Sequence, residues 1–196
     1  MFSWFERSIF LRPLNFLRVR HPHDSFYNWT LPTLLACASQ LLLYSLDYNS
    51  AAIFVRSSVE ALISLLSVFV PFYVASLAAV ATFNGPEKFD DPFEMQTPVT
   101  LEITGEFGGS RTLHISPRYF LCLLFGYNAI ISILLLLSCV VLSTYFEVVS
   151  ETNVPAVWSF TLAWLPLQIM FFQTSVFLLM AIYYLADYVH RLRYRS

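Results

Sequence analysis

The fold is decided by residues 59–83, which read VEALISLLSVFVPFYVASLAAVATF and carry a single charged side chain, Glu60. The hydrocarbon core of a bilayer is about 30 Å thick and takes about 20 helical residues to cross, so this stretch is long enough. Three further apolar blocks without Lys or Arg occupy residues 31–46, 119–145 and 155–188. The pattern predicts an all-α membrane protein with four transmembrane helices, of which the first is only just long enough.

Composition excludes an ordinary soluble domain. Hydrophobic residues make up 57% of the 196-residue chain and charged residues 12%, whereas soluble domains average about 45–50% and about 25%. The net charge of -2 gives no basic field for nucleic acid, so sequence-specific nucleic-acid binding is not expected. All three cysteines lie inside the apolar blocks, where we expect them to be small packing residues rather than disulfide partners.

The basic residues indicate the orientation in the membrane. Ten of the eleven Lys and Arg residues lie in the N-terminal segment, between the second and third blocks, or in the C-terminal tail, and only Arg56 lies in an outer loop. Because cytoplasmic flanks collect positive charge, both termini are predicted to be cytoplasmic. The chain is thus divided into four regions. Residues 1–27 are predicted to form a cytoplasmic interfacial helix and loop, and residues 28–83 a transmembrane hairpin. Residues 84–117 are predicted to form a cytoplasmic acidic loop, and residues 118–196 a second transmembrane hairpin with a basic tail.

The N-terminal segment is predicted to lie at the membrane surface. Phe2, Phe5 and Ile9 fall near one helical face and Glu6 on the opposite one, which is typical of an interfacial amphipathic helix. Pro13 is expected to interrupt this helix. A disordered arm with scattered aromatic residues is the alternative.

The acidic loop contains two segments of alternating hydrophobicity. Residues 99–104 (VTLEIT) and 111–115 (RTLHI) flank a glycine-rich turn and predict a small cytoplasmic β-hairpin. A lone hairpin is marginal in water, so its apolar side chains need cover from a second copy, from the helix ends or from another protein. The candidate partner or assembly residues are Val99, Leu101, Ile103, Leu113 and Ile115. Ser116 and Pro117 are expected to cap and begin the third helix.

Small and polar residues share one face of the second helix. At intervals of three or four they are Glu60, Ser64, Ser67, Pro71, Ala75, Ala78 and Thr82. One interpretation is close helix packing, which small residues permit in lipid. The other is the lining of a pore in an oligomer, with a ring of Glu60 favouring cations at the outer mouth. Neutral polar residues inside the later spans can hydrogen-bond across helices: Asn128, Ser132, Gln168 and Gln173.

No reaction site is predicted. No charged residue or His lies near the middle of a span, and no Ser/His/Asp, Cys/His or paired-carboxylate grouping is placed to meet. We therefore expect no enzyme activity, no metal and no cofactor. The basic tail, with Arg191, Arg193 and Arg195, is interpreted as an inside-positive anchor, or as a contact for lipid headgroups or a phosphate-bearing ligand.

Four short helices with both termini inside, a small inner β-element and no catalytic apparatus resemble the small membrane components of bacterial antiphage systems of the Kiwa and Hailong types. The resemblance covers the whole chain as architecture, and no individual residue is carried over. It implies a homo-oligomer, a tetramer in the first instance, that works with a soluble cytoplasmic partner or a nucleotide-type signal and acts on membrane integrity.

The predicted function is thus an oligomeric protein of the bacterial inner membrane that receives a cytoplasmic signal and forms or gates an ion-permeable path. The alternative is a non-conducting membrane sensor or scaffold that recruits a soluble partner through residues 84–117.

Overall fold

The computed structural model of this protein describes residues 9–20, 26–46, 48–82, 100–104, 110–150 and 157–194. Its four α-helices are α1 (Leu31–Tyr44), α2 (Tyr48–Thr82), α3 (Pro117–Ser150) and α4 (Val157–Tyr194). Before α1 lie a 3-10 helix, a short strand and one π-helical turn, at Ile9–Arg18, β1 (Val19–Arg20) and Phe26–Thr30. Two more strands lie between α2 and α3, namely β2 (Thr100–Thr104) and β3 (Ser110–His114).

Three helical segments are long and apolar enough to cross a membrane. They are Ile53–Thr82, Pro117–Tyr145 and Trp164–Ala186, and they coincide with the second, third and fourth predicted blocks. α1 forms over the first block but has 14 residues, about 21 Å at the rise of an α-helix, which is shorter than the hydrocarbon core. Among the described residues there are therefore three candidate spans, all of them helical as predicted.

The connection between α1 and α2 is much shorter than predicted. The chain turns at Ser45 and Leu46, whose backbone N–H groups donate to the carbonyls of Leu42 (3.2 Å) and Leu43 (3.1 Å), and α2 begins at Tyr48. Arg56 therefore lies on α2 and not in an outer loop, so that prediction is wrong. The physical reason is that residues 48–58 contain no Gly or Pro to stop a helix that continues into the apolar block.

The start of α3 is confirmed. Pro117 is its first residue, the Ser116 hydroxyl oxygen accepts a hydrogen bond from the Tyr119 N–H at 3.3 Å, and the Ser116 carbonyl accepts one from Phe120 at 3.0 Å. Ser116 thus satisfies a backbone donor that the first turn leaves unpaired, and proline costs nothing at a position whose N–H has no helical partner.

Two apolar clusters hold the helices together. The first joins the C-terminal half of α2 to the N-terminal half of α3 and contains Tyr73 and Leu124. The second joins the other two halves and contains Leu66, Leu135 and Leu167. α2 and α3 are therefore antiparallel, α4 contributes to both clusters, and α1 packs against α4.

The strands form a three-stranded antiparallel sheet in the order β1, β2, β3. Leu101 lies opposite Val19 of β1 on one side and opposite Leu113 of β3 on the other. The two alternating segments are thus paired strands, and the turn at 105–109 lies outside the described residues. β1 is not predicted from the sequence, because a strand of two residues is too short to display a period.

The N-terminal segment packs against α3 instead of ending at Pro13. The 3-10 helix continues through Pro13 to Arg18, so the predicted interruption is wrong, while residues 1–8 of the predicted interfacial helix lie outside the described part of the chain. A Cβ placed on Gly126 of α3 would lie 3.1 Å from Pro13 Cβ and 3.3 Å from Pro13 Cγ. Glycine at position 126 therefore allows the two segments to approach this closely.

Candidate functional site

α2 has two opposite faces with different surroundings. Val59, Leu62, Leu66 and Tyr73 are buried along the side of the helix that packs against α3. At 3.6 residues per turn the predicted stripe falls on the other side. Every member of that stripe is exposed: Glu60, Ser64, Ser67, Pro71, Ala75, Ala78 and Thr82. The stripe is therefore a surface of the protomer and not part of its core.

The hydroxyl groups of the stripe donate to their own helix. The Ser64 hydroxyl donates to the Glu60 carbonyl at 3.2 Å, and the Ser67 hydroxyl donates to the Ser64 carbonyl at 2.7 Å. Thr82 donates in the same way to the Ala78 carbonyl at 2.8 Å. Because the protons are already bonded, the hydroxyl oxygens remain as acceptors only. The stripe is thus small, weakly polar and tolerant of close contact with another helix.

An ion pair lies near the N-terminal end of this face. Arg56 Nε donates to Glu60 Oε1 at 3.3 Å, and both side chains are more than half exposed. The two residues are one turn apart, so each copy of the chain brings one positive and one negative charge to the same level of the helix. A ring of Glu60 carboxylates in an oligomer would therefore be accompanied by a ring of Arg56 guanidinium groups.

The polar residues predicted inside the later spans are all buried within the protomer. Asn128 and Ser132 have no exposed surface, and Gln168 and Gln173 have 7% and 5%. They therefore occupy contacts between helices of one chain and not the surface that α2 presents. In the sequence both sets are polar residues inside apolar blocks, but the structure places the α2 set on the surface of the protomer and the other set inside it.

Gln173 confirms the predicted hydrogen bonding across helices. Its Oε1 accepts from the Tyr127 hydroxyl of α3 at 3.0 Å, and its Nε2 donates to the Asn28 carbonyl of the π-helical turn at 3.0 Å. One side chain of α4 thus joins α3 to the segment that precedes α1. Such bonds favour a single packing arrangement of the helices, because a buried polar group that loses its partner cannot bond to water instead.

Two of the five predicted partner residues are covered by the chain itself. Leu101 and Ile115 are 2% and 1% exposed and belong to the same cluster as Phe16 and Val19. The N-terminal segment and the ends of the helices cover them. Helix ends are one of the three kinds of cover that the sequence left open, so these two side chains are not available to a second copy or to another protein. Ile103 and Leu113 lie in strands β2 and β3, while Val99 lies outside the described residues.

The basic tail belongs only in part to the described structure. The backbone of α4 continues to Tyr194 and includes Arg191 and Arg193, and Arg195 lies beyond it. The interpretation of these arginines as a lipid or phosphate contact therefore stays a prediction.

The role of Phe16 is not predicted from the sequence. Its ring meets Phe177 edge-on with the centroids 5.0 Å apart, and lies 5.5 Å from Tyr127 and 5.9 Å from Phe120. The only signal was the apolar content of residues 14–19 (LNFLRV) in an otherwise arginine-rich segment. The aromatic group connects the N-terminal segment to both α3 and α4.

A groove of about 490 Å³ opens between α3 and α4, with Leu134, Ser138, Val141 and Leu167 among its lining. Ligand and active sites usually add a few converging polar groups to an apolar lining, and among the described residues the groove offers only Ser138 and Tyr145. In the part of the chain that the structure describes, no three His, Cys, Asp or Glu side chains are grouped closely enough to hold a metal ion.

Comparisons with known protein families, curated proteins and solved structures found no match to this chain.

Proposed function

We propose that this protein is a homo-oligomeric membrane protein whose copies associate through the exposed face of α2 and together form or gate an ion-permeable path. The observation that carries the proposal is that every residue of the stripe is small or polar and also exposed. Such a face gains no particular packing advantage from contact with lipid, whereas its small residues let the backbone of another helix approach closely. The opposite face of α2 is already buried against α3, so the stripe is free to meet other copies.

We further propose four membrane spans with both termini in the cytoplasm of a bacterium. The π-helical turn adds 5 residues to the 14 of α1, which brings this helix close to the length of about 20 that a bilayer requires. The tight turn to α2 then makes a transmembrane hairpin. The distribution of Lys and Arg supports the orientation.

A single chain of four helices is too small to enclose a path with its own side chains. Several copies arranged around an axis would instead present α2 to a shared centre, with the hydroxyl oxygens of Ser64 and Ser67 along the path. The Arg56–Glu60 pair would lie at the outer mouth and set the balance between cations and anions.

The cytoplasmic sheet is the proposed receiver of the signal. Leu101 and Ile115 share a cluster with residues of α3 and α4, so a ligand or soluble partner bound to the sheet would act directly on the start of α3. The architectural resemblance to antiphage membrane components supports a role of this kind in defence.

A second candidate function is the non-conducting scaffold. In the described part of the chain, β3 pairs only with β2, so its other edge can accept a strand from a soluble partner. Under this alternative the oligomer would form without an ion path.

The test compares two adjacent alanines of α2 in reconstituted liposomes. Ala78 belongs to the stripe, whereas Ala79 is also exposed but lies about 100° around the helix. We expect Ala78→Leu to lower both the mass of the oligomer in detergent and the ion flux, because leucine prevents close approach, and Ala79→Leu to behave like the wild type. If neither variant changes the mass, the stripe is not the contact between copies.

A second pair of variants separates the ion path from the scaffold. Arg56→Gln removes the positive ring and should raise the permeability of cations relative to anions, while Glu60→Gln should lower it. A stable oligomer that conducts neither kind of ion, alone or with a cytoplasmic extract of its source, would favour the scaffold.

A further inference from the structure

The N-terminal segment, residues 9–20, has little secondary structure that is stable by itself. It is a 3-10 helix of 10 residues followed by a strand of 2 residues. 3-10 helices longer than about 3–4 residues are uncommon, because their hydrogen-bond geometry is poor. Among the described strands, β1 lies at an edge of the sheet and pairs with β2 alone. This segment, the N-terminal strap, is therefore held in place by its contacts with the rest of the protein.

Three side chains of the strap, at intervals of three residues, contact three parts of the protein. Pro13 approaches Gly126 of α3 so closely that a Cβ on the glycine would lie 3.1 Å from the proline Cβ. Phe16 lies among aromatic rings of α3 and α4 at centroid distances of 5.0–5.9 Å. Val19 lies opposite Leu101 of β2, and the two side chains are 4% and 2% exposed. The strap therefore connects the sheet to two of the long helices.

The same contacts continue to the π-helical turn that precedes α1. The Tyr127 ring lies 5.5 Å from the Phe16 ring, and its hydroxyl donates to Gln173 Oε1 at 3.0 Å. Gln173 Nε2 in turn donates to the Asn28 carbonyl at 3.0 Å. Tyr127, Gln173 and Asn28 are each buried. A continuous series of contacts thus connects the sheet, through Phe16, to the turn.

We propose that the N-terminal strap is a conformational switch that couples the sheet to the π-helical turn before α1. In the state that the structure shows, β1 is paired, Phe16 is packed between α3 and α4, and the turn is bonded to Gln173. In the other state β1 leaves the sheet and Phe16 withdraws. Tyr127 and Gln173 then lose the contact that positions them, so the turn loosens together with the strap.

The position of the strap allows this movement. Leu17, the residue after Phe16, is 41% exposed, so the strap lies at the surface and can leave without unfolding the helices. Segments with few buried contacts open locally in this way while the rest of a protein stays folded. An event at the sheet that releases β1 would therefore also loosen the start of α1. The coupling takes place within one protomer, so it does not depend on an oligomer or on ion flux.

The test is hydrogen–deuterium exchange of the full chain in detergent, with a change at the sheet and a measurement at the turn. Leu101→Ala removes the side chain opposite β1. We expect the opening constants of residues 14–20 and 26–30 to rise together, by about tenfold or more, because a buried leucine is truncated. The control is Leu66→Ala, since Leu66 is fully buried in the other apolar cluster. It should change neither segment, and an equal effect at residues 26–30 would overturn the proposal, because the cause would be general destabilisation.

A double variant tests whether the coupling passes through Phe16. Phe16→Ala should by itself accelerate exchange in residues 26–30, and adding Leu101→Ala should have no further effect there, since coupled changes are not additive. Additive effects would show a route that bypasses the strap and would overturn the proposal.

The wild type provides a comparison that needs no variant to fold. Because the strap and the turn open as one unit, exchange in residues 14–20 and 26–30 should respond in the same way to low concentrations of denaturant. Separate responses of the two segments would overturn the proposal.

Discussion

The substitution Phe16→Ala tests how the N-terminal segment is attached to the helices. Phe16 is 3% exposed and its ring contacts three other aromatic rings, of which Phe177 is the nearest at 5.0 Å. Replacing a buried phenylalanine by alanine costs about 3–5 kcal/mol through lost transfer energy and the cavity left behind. Each aromatic pair adds about 0.5–1.5 kcal/mol beyond its buried area, so we expect the upper half of that range.

The assay is thermal unfolding in detergent, followed by tryptophan fluorescence and by circular dichroism. For a chain of this size 1 kcal/mol shifts the midpoint by about 2–4 °C, so Phe16→Ala should lower it by roughly 10 °C or more. The control is Leu17→Ala, because Leu17 is adjacent but 41% exposed, and such surface changes usually stay within about 0.5 kcal/mol. Equal shifts for the two variants would refute the reasoning, since burial would then not distinguish them.

Three further predictions concern the contacts around this segment. Gly126→Val should displace the N-terminal 3-10 helix, because even one Cβ would lie 3.1 Å from Pro13; faster trypsin cleavage within residues 9–20 would report it, and unchanged cleavage would contradict it. Gln173→Leu should cost about 1–3 kcal/mol, since the buried Tyr127 hydroxyl loses its acceptor; the cost should shrink in a Tyr127→Phe background, which a double-mutant cycle of melting midpoints measures. Leu101→Asp should lower the midpoint strongly because the side chain is 2% exposed, whereas aspartate at the exposed Thr112 should not; similar midpoints would show that the sheet is not part of the core.

The ion pair on α2 sharpens the choice between the two interpretations of the stripe. If the stripe only packs against other copies, Arg56 and Glu60 contribute little, because exposed pairs are weakly stabilising. If the stripe lines an ion path, these two side chains control which ions pass, because both lie at the outer mouth of that path. The selectivity of the Arg56→Gln and Glu60→Gln variants is therefore more informative than their stability.

The sequence by itself predicts the local elements of this protein well. Long apolar blocks become helices because only intrahelical hydrogen bonds satisfy the backbone in an apolar environment. The start of α3 at Pro117 depends on Ser116, which is its neighbour in the chain. The alternating segments around residues 101 and 113 become paired strands because a period of two places their apolar side chains on one face. The α1–α2 connection was misjudged because the apolar block did not show how far α2 extends beyond it.

Only the tertiary structure decided which polar residues face outward. The stripe of α2 and the Asn128–Ser132 pair of α3 look alike in sequence, because helical periodicity identifies a face but not what covers that face. The same holds for Leu101 and Ile115, whose covering includes Phe16, about a hundred residues away in the chain, and for Gln173, which bonds to Asn28 across 145 positions. Contacts of this kind depend on how the helices pack in three dimensions, and no pattern of neighbouring residues encodes them.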